Sequence, residues 1–167
     1  LTSPEKDETL RAHWSFDQDF SNSSILGKRL DGTPQNGAKI SKGALQLNRG
    51  KEQFVNIPRS FLDDNSAGHS VSCWIHPNKL PAYGSKDRQF ILETTAEGTP
   101  ASKAAYHLSL ELSPATEAEK IAIRLHTQTL KPGGPQKAPI AKTQGAFQSS
   151  HPRSEIEGKW SHLVVCF

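Results

Sequence analysis

The chain has 167 residues, 20 of them basic and 17 acidic, for a formal charge of +3. That length supports a hydrophobic core without metal or disulfide staples, and the scattered Lys and Arg residues argue against the clustered positive footprint of a nucleic-acid binder. No stretch approaches the apolar length of a membrane span, and the opening LTSPEKDETL lacks the charged and apolar regions of a signal peptide.

The chain starts on Leu1 and contains no methionine, which reads as a segment of a longer polypeptide. Residues 1–10 form a polar lead-in, and residues 11–167 read as one domain. RAHWSF predicts a first strand, followed by a turn-rich connection in which Asp, Asn, Ser and Gly dominate. ALQLN and QFVNIP alternate apolar and polar residues, and the intervening RGKE predicts that they pair as a hairpin. HSVSCWIHP is the next strand, ended by Pro77, and RQFILETT follows it. AAYHLSLEL and KIAIRLHTQT alternate strongly and are joined by the acidic, turn-like SPATEAE. Residues 130–159, rich in Pro, Gly, Lys and Gln, offer little to bury and read as a surface loop. WSHLVVCF closes the chain as a last strand. These eight strands with almost no helix predict an all-β protein, an antiparallel two-sheet β-sandwich.

The order of these segments carries a more specific signal than their composition. AHWSFDQDFSNSS, DGTPQNGAKISKGALQLNRGKEQFVNIP, HSVSCWIHPNKLP, FILETT, YHLSLEL, IAIRLH and WSHLVVCF, in that order, resemble the laminin G-like, concanavalin A-like jelly-roll superfamily, most of all its bacterial modules. The resemblance covers nearly the whole chain from residue 11 onward. It implies that roughly the final third of the sandwich would follow WSHLVVCF. It also implies a non-catalytic recognition or adhesion module of a larger extracytoplasmic protein, binding carbohydrate or protein through its loops. The alternatives are a glucanase-like hydrolase or a purely structural spacer. The expected partners are therefore a carbohydrate or protein ligand and the remainder of the parent chain, with neither nucleic acid nor membrane span.

Candidate ligand-binding residues are the loop residues Tyr83 and Arg88 and the run Asp63, Asp64 and Asn65. Many members of the superfamily bind calcium, for which Asp17, Asp19, Asp31 and the Asp63–Asn65 run are the oxygen-bearing candidates. Calcium takes six to eight oxygens, and turn and cap roles account for these residues more simply. The pentraxin branch places calcium ligands just before the strand that here reads YHLSLEL, where this chain has TPASKAA. No cofactor and no metal site is therefore expected. For a hydrolase, the nearest matches are Glu111 and the pair Glu155 and Glu157, but the pattern needs three acids on one strand face, and SEIEG has two and ends in Gly, so no catalytic residue is assigned. Trp14, Trp74 and Trp160 lie in predicted strands and are expected to pack in the core or beside the sandwich rim rather than to form an exposed platform. Tyr83 and Phe147 are the loop aromatics, and His76, His126 and His162 read as strand residues. Pentraxins bridge the strands corresponding to SVSCWI and WSHLVVC. Aligned on the tryptophans, their half-cystines fall on Ser72 and Val164, which places Cys73 and Cys166 on opposite faces. Two free thiols and no disulfide are expected.

Overall fold

A computed structural model describes residues 10, 12–25, 27–58, 70–93, 105–131 and 140–166. The chain divides into two compact units, Leu1–Asn65 and Ser66–Phe167. It is all-β, with antiparallel sheets and, among the described residues, a single four-residue α-helix.

The first unit contains β1 (Thr33–Gln35), β2 (Lys39–Ile40), β3 (Leu45–Gln46) and β4 (Phe54–Asn56). Residues 12–16, expected as a strand, instead run as an irregular segment knotted to the following loop. Buried Asn22 accounts for this. Its Oδ1 accepts from the His13 N–H at 2.8 Å, and its amide donates to Ser24 Oγ and the Gly27 carbonyl. A side chain that satisfies several backbone groups at once competes with a strand ladder. Trp14, half-buried, donates its indole N–H to the Leu30 carbonyl at 2.8 Å.

The expected hairpin between ALQLN and QFVNIP does not form. β3 pairs with β2, and β4 pairs with β1. Local turn chemistry decides the pairing. Lys42 and Gly43 adopt φ of 55° and 68° between β2 and β3, the left-handed pair of a two-residue hairpin turn. Reciprocal Ser41 and Ala44 hydrogen bonds close it. Between β3 and β4, residues Arg49–Lys51 coil into a 3-10 turn. There the Gln53 side chain donates to the Asn36 and Gly37 carbonyls, tying β4 toward the β1 end.

The second unit contains β5 (Ser70–Ile75), β6 (Gln89–Glu93), β7 (Ala105–Pro114), β8 (Lys120–Lys131), β9 (Ile140–Pro152), α1 (Arg153–Ile156) and β10 (Ser161–Cys166). β6, β7, β8 and β9 form one antiparallel sheet in that order, and β5 pairs with β10. The predicted alternation of β7 and β8 places Leu108, Leu110 and Leu112 on one face, opposite Thr127, Leu125 and Ile123. Val71 and Cys73 of β5 and Val165 of β10 pack on the Leu108, Leu110 and Leu125 cluster, while Ile75 joins Leu112, Ile121 and Ile156. The two-stranded ribbon is thus laid on the apolar face of the larger sheet. A register shift between Phe90 and Leu92 lets Ile91 and Leu92 both pack on the Leu108 cluster, as a bulge permits where strict alternation would turn one away.

Residues 130–159, expected as a loop, hold β9 and α1. Their composition hides the strand because its support is a backbone ladder with β8 running from Lys120↔Pro152 to Lys131↔Ile140, which needs no apolar side chains.

Both cysteines are free. Cys73 pairs across the ribbon with Leu163 and faces the core cluster, and Cys166 pairs with Ser70 and is exposed. Burial pushes the Cys73 thiol above its ordinary range by disfavouring the thiolate. Under native conditions, a thiol-disulfide reagent is expected to modify Cys166 at least ten times faster than Cys73. Equal rates would place Cys73 in solvent.

Candidate functional site

Two surfaces of the second unit carry unspent chemistry. The first is the outer face of the β5/β10 ribbon. On β5 the core-facing residues are Val71, Cys73 and Ile75, so Ser70, Ser72 and Trp74 share the other face, and His162, Val164 and Cys166 join them from β10. The packed position expected of the tryptophans is overturned for two of them: Trp74 is 64% and Trp160 58% exposed. Trp74 lies directly opposite His162, and their rings stack at 4.7 Å and 17°. Ser72 Oγ lies 2.9 Å from His162 Nε2 and holds that imidazole. His76 meets Trp160 edge to face at 5.3 Å. Each indole is therefore braced by a histidine while most of the residue remains in solvent. Parity was the sequence signal for this, because Trp74 shares its face with two serines.

The second surface is the far face of the four-stranded sheet. Register aligns Phe90, Glu111, Arg124 and Gln148 across all four strands, with Ser109 opposite His126 and Ser113 opposite Ala122. Glu111 is completely buried, with Arg88 Nη1 3.5 Å from Oε2 and His126 Nε2 3.5 Å from Oε1. Neither carboxylate oxygen has a hydrogen bond among the described residues, and the same holds for Ser113 Oγ and His126 Nε2. Arg124 donates to Gln148 Oε1 at 2.9 Å.

The loop after β5 reaches both Tyr83 and Arg88, and α1 fixes it. The Arg153 guanidinium donates to the Pro81 carbonyl at 2.8 Å, and Glu157 accepts from the Leu80 N–H at 3.2 Å. The Gly158 N–H donates to the Pro77 carbonyl at 2.9 Å. Tyr83 donates to the Thr116 carbonyl at 3.4 Å and keeps its ring exposed. The structure therefore places Tyr83 in a pinned loop and Arg88 against Glu111, a partner that sequence reasoning had considered only as a hydrolase acid. Phe147, expected in a loop, lies in β9 and is exposed.

Asp63, Asp64 and Asn65 lie outside the described residues. Asp19 and Asp31 accept the backbone N–H groups of Ser21 and Asn22 at 2.8 and 2.9 Å, the bonding of turn residues. Glu155 is exposed on α1. Among the described residues, no three His, Cys, Asp or Glu side chains gather where they could hold a metal ion, and no helix is long and apolar enough to cross a membrane. No family model, curated protein or solved structure matches the chain.

Proposed function

We infer that the chain is a non-catalytic recognition module of a larger extracytoplasmic protein, of the laminin G-like jelly-roll kind, that binds carbohydrate. The observation that carries this reading is the pair of exposed tryptophans, Trp74 on the outer face of the β5/β10 ribbon and Trp160 immediately before β10. Large aromatic rings left in solvent on a sheet whose other face is packed call for a partner. An indole presents a flat apolar surface with a polar N–H at its edge. That suits a pyranose ring, whose C–H face is apolar and whose rim is hydroxylated. The histidine against each indole restricts its rotamers before binding, so less entropy is lost when a ligand docks.

A glucanase-like reading has weaker support. Hydrolysis by paired carboxylates needs a second acid roughly 5–9.5 Å from the first. The row of Phe90, Glu111, Arg124 and Gln148 supplies one carboxylate.

Screening the chain on a glycan array, with and without calcium, tests the proposal. Trp74→Ala and Trp160→Ala are each expected to weaken binding by about 2 kcal/mol, roughly thirtyfold. Absence of glycan binding in both conditions, or binding unchanged in both variants, would sink it.

A further inference from the structure

The far face of the four-stranded sheet lies across β7 from the ribbon, and its chemistry differs from that of the tryptophan surface. Four buried polar atoms there lack hydrogen-bond partners among the described residues: Ser113 Oγ, and both Glu111 oxygens and His126 Nε2, whose closest contacts are ion pairs at 3.5 Å. Folded proteins rarely leave buried polar atoms unsatisfied, and a cluster of them on one face points to a ligand site. Glu111 is fully buried, whereas the two side chains touching it reach solvent, with Arg88 51% and His126 28% exposed. Arg88 contacts the carboxylate at 3.5 Å without a hydrogen bond, so the carboxylate keeps hydrogen-bonding capacity for a further group while the ion pair stays in place.

The partner chemistry follows from the charges. An anion would meet the Glu111 carboxylate, and a cation would meet the Arg88 guanidinium. A hydroxyl suits both, because it donates to a carboxylate oxygen and accepts from a guanidinium or imidazole N–H. Two adjacent hydroxyls would match the two carboxylate oxygens, leaving Ser113 to take a third contact. We propose that Glu111, Arg88, His126 and Ser113 form a binding site for a neutral polyhydroxylated small molecule, a single sugar ring or sugar alcohol. The site goes beyond the tryptophan surface and is independent of it.

The test is a titration of the 15N-labelled chain with galactose, glucose, mannose, mannitol and glucuronate, following amide shifts in β7 and β8. At least one neutral member is expected to shift these amides. Its affinity should fall at least tenfold in Glu111→Gln and at least threefold in Arg88→Met, and stay unchanged in a Trp74→Ala, Trp160→Ala double variant. Arg88 is half-exposed, so its variant remains informative should Glu111→Gln fail to fold. Three results would overturn the proposal: no shift from any neutral member at tens of millimolar, unchanged affinity in the Arg88 variant, or binding of glucuronate alone. Loss of glycan-array binding with this titration intact would remove the tryptophan reading and leave this site standing.

Discussion

Leu110→Ala is expected to lower the stability of the second unit by about 3–4 kcal/mol. Leu110 is fully buried in β7, in the cluster with Leu108 and Leu125, where Val71 and Cys73 of β5 and Val165 of β10 also pack. Truncation removes transfer free energy and leaves a cavity between two sheets whose strands are held in register by their own ladders, so neither can easily collapse into it. The chain forms two units, so the unfolding signal must come from the right one. Trp14 lies in the first unit, and Trp74 and Trp160 lie in the second. Urea unfolding of a Trp14→Phe background, followed by tryptophan fluorescence, therefore reports the second unit alone. A loss below about 1 kcal/mol, within the range of surface substitutions, would mean that the ribbon is not seated on Leu110.

Gly32→Ala is the corresponding experiment in the first unit, with an expected cost of about 1–3 kcal/mol. A Cβ at Gly32 would stand 2.5 Å from Val55 Cγ1, with the Phe20 Cβ and carbonyl oxygen at 3.4 Å. The position cannot retreat freely, because the Gly32 N–H donates to the Phe20 carbonyl at 2.7 Å. Val55 cannot swing aside either: it is β-branched, stiff at χ1, and paired with Pro34 in the β1/β4 ladder. The obstacle is thus one methyl group. In a Val55→Ala background, Gly32→Ala is expected to cost less than half as much, a coupling that a double-mutant cycle measures directly. A cost unchanged by Val55→Ala would assign the effect to the backbone at Gly32. Trp14 fluorescence in a Trp74→Phe, Trp160→Phe background is the readout.

These experiments probe the parts of the fold that were most and least legible in the sequence. The Leu108–Leu112 alternation and its partner Ile121–Leu125 predicted β7 and β8 because a half-buried strand must repeat every second residue. The pairing of β1 with β4 was invisible, since the three residues of β1 have no measurable period. Side-chain bonds from Asn36 and Gln53 decide it. β9 was missed because strand reading relies on apolar residues, and this strand is held by peptide groups.

The candidate sites divide the same way. Tyr83 was legible as a loop aromatic. Trp74 was misassigned because its residue type was weighed above its parity with Ser70 and Ser72. The contact of Arg88 with Glu111 joins residues 23 apart in sequence through a β6/β7 register that contains an irregularity, which no local pattern announces.

The composition of β9 also bears on solubility. It forms one border of the four-stranded sheet, and the exposed far edge of such a strand is where another chain could add itself and begin a fibril. Short segments that assemble this way combine high β propensity with apolar side chains and low charge. IAKTQGAFQSSHP departs from that recipe, with a lysine, two glutamines, a glycine and a closing proline. The features that disguised the strand as a loop make it a poor template for self-assembly. Phe147, 77% exposed, is the one large aromatic along it.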